Sequence, residues 1–261
     1  MVDDLKITII TVCKNSGKYL NETIESVINQ TYSNIEYVVI DGGSVDATID
    51  IIKRHAHKIS YWMSEEDNGM YKAINKGLKL ASGDYILILN SDDVLADKNV
   101  IKSVVKQIGI QKRQYYYGNI IKLKNEKTKR VKLFQVSFQQ LLLSTHGTFA
   151  PHPCFFISAK TNRELGGYDT NYKYASDYDY ILRAMSVSKN SGKHLNIFVT
   201  KFRLHENSIT ASGKINAERK KVLASHGYYR QPPLKRIFGY YLLWIYYKTI
   251  NLSNNYQGGW L

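Results

Sequence analysis

Hydrophobic residues come in short runs through the first hundred positions, and segments of a different spacing separate the runs. KITIITV (6–12), IEYVVID (35–41), ISYWMSE (59–65) and DYILILN (84–90) are apolar stretches of strand length, the pattern of strands covered on both faces. Between them lie GKYLNETIESVINQ (17–30), ATIDIIKRHAHK (47–58) and GMYKAINKGLKLA (69–81). Their apolar residues fall three and four apart, so that Leu20, Ile24, Val27 and Ile28 share one helical face. The order β-α-β-α-β-α-β predicts a Rossmann-like, mostly parallel, doubly wound sheet with right-handed crossovers. Such sheets bind ligands at their strand C-termini, and that rim collects Thr11, Asp41, Glu65 to Asp67, Asp92 and Asp93.

Past residue 100 the pattern weakens. VIKSVVKQI (100–108), SDYDYILRAMS (176–186) and INAERKKVLASHGYY (215–229) read as helices, and HPCFFIS (152–158) and NIFVTKFRLH (196–205) as strands. YYYGNIIKLKN (115–125) and RVKLFQV (130–136) suggest a hairpin with a basic tip. No repeat or Gly/Ser-rich linker interrupts the chain, so residues 99–225 read as a continuation of the first half and 226–261 as a basic aromatic segment.

With 261 residues and 44% hydrophobic positions the chain can bury a full core, which argues against disorder. Two cysteines, Cys13 and Cys154, offer no disulfide framework and no metal-ligand spacing, so a reducing, cytoplasmic compartment is expected. The first residues carry acids where a secretory signal would carry lysines. A net charge of +14 calls for an anionic partner. Nucleic acid is not expected, because no zinc finger, RNA-recognition motif or G-x-x-G loop accompanies the charge. Much of the excess sits in KLKNEKTKRVK (122–132) and in the C-terminal stretch, where LKRIFGYYLLWIYYK (234–248) is too short to span a bilayer. It suits either an interfacial helix on an anionic inner leaflet or a helix docked on the core.

Some of the rim has an ordinary reading. NSGK (15–18) lacks the earlier glycine of a phosphate loop, although its amides could meet an anion at a helix start. DGGSVDAT (41–48) fits a strand end, a tight turn and a helix cap at Ser44 or Asp46. Asp92 and Asp93 could close a strand as turn residues, or face a cleft.

TVCKNSGKYLNETIESVINQTYSNIEYVVIDGGSVDATIDII followed by SEEDNGMYKAINKGLKLASGDYILILNSDD resembles the family 2 glycosyltransferases with a GT-A fold, in particular bacterial enzymes that assemble surface polysaccharides. The resemblance covers residues 5–95 closely and continues through HPCFF, LGGYD, SDYDYILRA and RLHENSIT. It implies an inverting transfer from a nucleotide diphosphate sugar, with UDP expected, to a growing, lipid-linked glycan, by a protein peripheral to the inner face of the cell membrane. Asn90-Ser91-Asp92-Asp93 stands at the D-x-D-type motif. Asp92 would then hold Mn²⁺ or Mg²⁺, hard cations that take carboxylate oxygens, with Asp93 the second candidate and one of the nucleotide-sugar contacts. Ser176-Asp177 stands at the E-D motif, making Asp177 the base for the acceptor hydroxyl. Thr11, Asn15, Asp41, Asp67, Asn75, Lys76, Arg203 and His205 would serve the nucleotide sugar, and His152, Gly167, Asp169 and Asp179 the acceptor. The chain departs from the family at Gly42 and Lys72, where acids are common, and at Ser176, where Glu is.

A non-catalytic basic module binding polyanions or membranes is the rival. Its weakness is the acid rim, which would repel phosphate without a metal. A nucleotidyltransferase would be expected to show a Gly-rich basic loop after the first strand, and only NSGK is there.

Overall fold

The computed structural model describes residues 5–145, 149–189, 191–205 and 215–252. The first half follows the predicted alternation: β1 (Ile7–Cys13), α1 (Leu20–Ile28), β2 (Ile35–Asp41), α2 (Thr48–His55), β3 (Tyr61–Ser64), α3 (Met70–Leu80) and β4 (Tyr85–Ile88). These strands pair in parallel in the order β3-β2-β1-β4. Every residue of β1 and β4 is buried, the physical reason their apolar runs are continuous rather than alternating. Gly77 lets α3 lie close on the sheet, since a Cβ there would stand 2.6 Å from Ile10.

The second half extends the same sheet. It contains β5 (Val94–Leu95), α4 (Val100–Ile110), β6 (Tyr115–Lys124), β7 (Lys127–Val131), α5 (Phe138–Leu143), β8 (Phe155–Ser158), α6 (Ala159–Leu165), α7 (Ser176–Val187), β9 (Gly192–Arg203), α8 (Ile215–Ser225) and α9 (Pro233–Leu252). β8 runs antiparallel to both β4 and β6, β9 lies parallel to β6, and β5 is antiparallel to β9, so the first half is all parallel and the second half mixed. The basic hairpin forms, but β7 ends at Val131 and the LFQV that follows leads into α5. α5 opens on a capping box between Ser137 and Gln140, and α6 on Ser158, whose hydroxyl accepts from the Thr161 amide. Ser-x-x-Gln was a visible start signal for α5, but a six-residue helix shows too little periodicity to stand out.

Two-residue β5 matters beyond its size. Val94 pairs with Lys201, which bends the chain after β4 across to the end of β9 and brings Asp92 and Asp93 beside Arg203 and His205. α9 docks one face on α5. Leu243 is buried, Gly239 lies against Leu143, and Tyr247 meets Phe149 edge-on.

Candidate active site

A cavity of about 660 Å³ opens at the C-terminal ends of the parallel strands. Val12, Cys13, Lys14 and Ser16 form its floor, Asp67 to Met70 and Ala73 one wall, and Ser91 and Lys173 complete it. Of the residues expected to meet the nucleotide sugar, Asp67 lines this space. Lys14 and Lys173 place two cations on it that the sequence did not single out.

Several rim residues turn inward to build the loops instead. Asp41 is fully buried, and its carboxylate accepts from the amides of Gly43 and Ser44 at 3.0 and 2.9 Å and from the hydroxyls of Ser44 and Ser64 at 2.5 and 2.7 Å. It shapes the turn after β2. Burial and the nearby charge of Asp41 push the Cys13 thiol well above its ordinary range, so this cysteine is an inert floor residue. Thr11 is buried and accepts from the Tyr37 hydroxyl at 3.2 Å. Three of the four NSGK amides are not open to an anion: those of Asn15, Ser16 and Gly17 donate to Ser44, Thr48 and Asp46. The Asn15 side-chain oxygen accepts from the Val45 amide, and Asp46 takes the amide and hydroxyl of Thr48 rather than capping α2 as its N-cap residue. Lys76 pairs with Glu65 at 2.5 Å.

Asp92 and Asp93, adjacent in sequence, have opposite environments. Asp93 is fully buried between the Arg203 amide at 2.8 Å and the Asn90 side-chain amide at 2.9 Å, bolting the end of β4 to the end of β9. Burial, with the Asp92 charge added, raises its carboxyl well above the usual carboxylate range. Asp92 is part-exposed, and its carboxylate meets His205 Nε2 at 2.8 Å. The Arg203 guanidinium is held by the Asp92 carbonyl at 3.0 Å and the Glu22 carboxylate at 2.6 Å, and it covers the Tyr19 ring.

Asp92 and His205 supply one hard oxygen and one imidazole nitrogen. Among the described residues no group of three or more acid, His or Cys side chains could hold a metal. The pair fits Mg²⁺ or Mn²⁺ of the kind that completes its shell with substrate phosphates and water.

Asp177 sits in the first turn of α7, and the buried Tyr71 hydroxyl donates to it at 3.3 Å. Burial first, and then the Asp177 charge, raise the Tyr71 hydroxyl far above its ordinary range, so it stays a donor. Tyr71 follows Met70 of the cavity wall, and Lys173, also on the cavity, lies four residues before Asp177. The stretch entering α7 is fixed by Glu218 of α8, whose carboxylate accepts from the amides of Lys173, Tyr174 and Ala175 at 2.9, 2.6 and 3.0 Å. No spacing signal links Glu218 to Asp177 in the sequence.

The other acceptor-side expectations resolve into framework. Asn75 holds both backbone groups of Tyr168 at 2.8 Å, and Gly167, at φ +91°, passes so close that a Cβ would stand 2.6 Å from the Asn75 oxygen. His152 bonds the Tyr168 hydroxyl at 2.5 Å, and burial lowers its pKa, favouring the neutral ring. Asp169 closes its own turn onto Asn171. Asp179 is buried between Arg183 at 2.7 Å and His226 at 2.9 Å; burial would raise its pKa, but those partners hold it below the ordinary value.

Residues 8–166 match the family model described as glycosyl transferase family 2. An uncharacterised glycosyltransferase of Mycobacterium tuberculosis is 30% identical over 185 residues, 69% of each chain. A PGL/p-HBAD biosynthesis glycosyltransferase of Mycobacterium bovis is 26% identical, covering 75% of each. Among solved structures, Staphylococcus aureus TarS 1–349 in complex with UDP-GlcNAc superposes with a TM-score of 0.72 at 17% identity, covering 96% of this chain and 74% of that one. The mannosyltransferase PcManGT of Pyrobaculum calidifontis, in complex with GDP-Man and Mn²⁺, gives a TM-score of 0.66 at 16% identity, covering 98% and 76%. The fold is therefore GT-A, and the chain belongs to glycosyl transferase family 2, enzymes that transfer sugars.

Proposed function

We propose that the protein is an inverting, metal-dependent glycosyltransferase that moves a sugar from a nucleoside diphosphate donor, a UDP-sugar, to a growing lipid-linked glycan of the cell surface, working at the inner face of the cell membrane. The observation that carries this reading is the Asp92–His205 pair, 2.8 Å apart, on the same rim as the cavity that Ser91 lines. A cation bound by the pair would offset charge on the departing diphosphate. Lys14 and Lys173 add positive charge along the cavity, and Asp67 lines the part that the nucleotide would occupy.

In the transfer, the acceptor hydroxyl oxygen bonds to the anomeric carbon as the bond from that carbon to the diphosphate breaks, and the hydroxyl proton passes to Asp177. A base on the face opposite the leaving group gives inversion. Tyr71 donates to Asp177 and Glu218 fixes the backbone before it, so the carboxylate is positioned before the acceptor arrives. The TarS complex with UDP-GlcNAc supports a UDP-sugar as the donor.

Calorimetry of UDP with and without Mn²⁺ tests the donor site. Binding should need the metal, and Asp92→Ala should weaken it by at least tenfold, since Mg²⁺-type sites rest on one or two carboxylates. UDP binding that ignores both the metal and Asp92→Ala would overturn this reading.

A further inference from the structure

α9 is apolar on two opposite sides. One side packs on the body through Gly239, Leu243 and Tyr247. The other presents Leu234, Ile237, Phe238, Tyr241, Leu242 and Ile245 to the outside, with Leu234 69% and Leu242 65% exposed. At 100° per residue these six fall within one face, opposite Leu243. A contiguous apolar stripe of this kind marks an interaction surface. Among the described residues no helix is long and apolar enough to cross a membrane.

The fold sets a cluster of lysines beside this stripe. In the β6–β7 register Lys122 faces Lys129 and Lys124 faces Lys127. Directly paired residues share a face, and so do alternate residues, so all four lysines lie on one side of the hairpin. Four lysines on one side of a hairpin set up a positive field that draws an anionic surface. The hairpin is tied to the end of α9 by Asn251, whose side chain bonds both the amide and the carbonyl of Lys132 at 3.0 and 3.1 Å. Lys248 bridges the two features: its ammonium lies 5.2 Å from the Trp244 ring on α9. It also adds to burial in lowering the pKa of Lys129.

We propose that α9 and the lysine face of the β6–β7 hairpin form a single surface that docks on an anionic lipid leaflet. The apolar side chains enter the interface, and the lysines meet headgroup phosphates. A second copy of the chain is a poorer occupant, because a two-fold contact through this face would bring the lysine-flanked stripe of one protomer against its own like. The purpose of the surface rests on the lipid-linked acceptor reading, whereas its existence is measured without catalysis.

The experiment is sedimentation of the full chain with vesicles of phosphatidylcholine alone or mixed with phosphatidylglycerol, at low and high NaCl, with light scattering of the protein alone. The mixed vesicles should bind the wild type, more weakly as salt rises, and neutral vesicles should bind it at least tenfold less. Phe238→Ser combined with Ile245→Ser should cut binding about 100-fold. Lys124→Gln combined with Lys127→Gln should cut it roughly 20-fold on anionic vesicles only. Both variants should bind UDP as the wild type does, which reports an intact donor site. Wild type that ignores anionic vesicles, or that binds both kinds equally, overturns the proposal. So does a wild-type dimer that Phe238→Ser with Ile245→Ser dissociates. Vesicle binding with no UDP binding supports this surface and counts against the donor reading alone.

Discussion

The two halves of the chain, donor-side and acceptor-side in the proposed reading, are held together by different means. Around the ends of β1 and β2, loops that are neighbours in the parallel sheet bind each other: the amides of 15–17 meet Ser44, Thr48 and Asp46, and Asp41 organises its own turn. Around Asp177 the contacts join distant parts of the chain, Asn75 to Tyr168, Glu218 to 173–175 and His226 to Asp179. The first arrangement follows from strand order, and the second is a set of separate side-chain clamps. Acids in both halves are mostly framework, and the proposed reading gives the chemistry to Asp92 and Asp177.

The largest expected effect separates those two from the framework. Asp177→Asn keeps the shape but cannot take a proton, and it should lower kcat by about 10³ with UDP affinity unchanged. A tenfold loss or less, measured with an acceptor, would show that Asp177 is one more clamp.

Asp93→Ala should act on stability instead. It strips the Arg203 amide and the Asn90 side chain of their buried acceptor, which costs about 3 kcal/mol. Asp92→Ala, on a part-exposed residue, should change denaturant stability by less than about 1 kcal/mol. If the two substitutions proved equally destabilising, the contrast between these neighbours would fail.

The same contrast marks what the sequence could and could not reveal. Parallel strands and their helices announce themselves through long apolar runs, so β1 to β4 and the acid rim were legible. Their periodicity places Asp41, Asp92 and Asp93 at strand ends, but not the direction in which each carboxylate points. That depends on tertiary donors such as the Ser64 hydroxyl and the Arg203 amide. β5 has only two residues, and pairing across the whole second half gives it meaning. Glu218 lies 41 positions beyond Asp177, on a helix whose polar residues read as a solvated face. The family resemblance pointed to Asp177 and His205, which no spacing rule joins to Asp92.

Glu218→Gln sharpens the acceptor-side account with a smaller effect. The amide keeps an oxygen for the 173–175 amides but loses the charge that strengthens those bonds. A positioning role predicts about a tenfold fall in kcat, no change in UDP affinity, and an altered pH profile of kcat. A purely structural role would lower stability and leave that profile unmoved.

The smallest effect lies at the opposite edge of the donor-side half, where Glu36 joins β2 to β1 and to the turn before β4. Burial would raise its carboxyl, but the Ser82 amide and hydroxyl, the Thr8 hydroxyl and Lys6 outweigh it and hold the pKa down to about 2. A folded pKa below the unfolded value means stability that is present above the unfolded pKa, near 4.5, and is lost as pH falls toward 2. Part of the attraction is screened, so Glu36→Gln should cost about 1 kcal/mol at pH 7 and flatten the stability curve between pH 5 and pH 2. Asp179, lowered by Arg183 and His226, is the matching clamp on the acceptor side and is untouched by the substitution. Acid unfolding followed by hydrogen exchange should therefore show protection lost in β1 and β2 at a higher pH in the variant, with α7 unchanged. An equal shift in both regions would mean that the sheet unfolds as one unit and that the two halves differ only in how their loops are built.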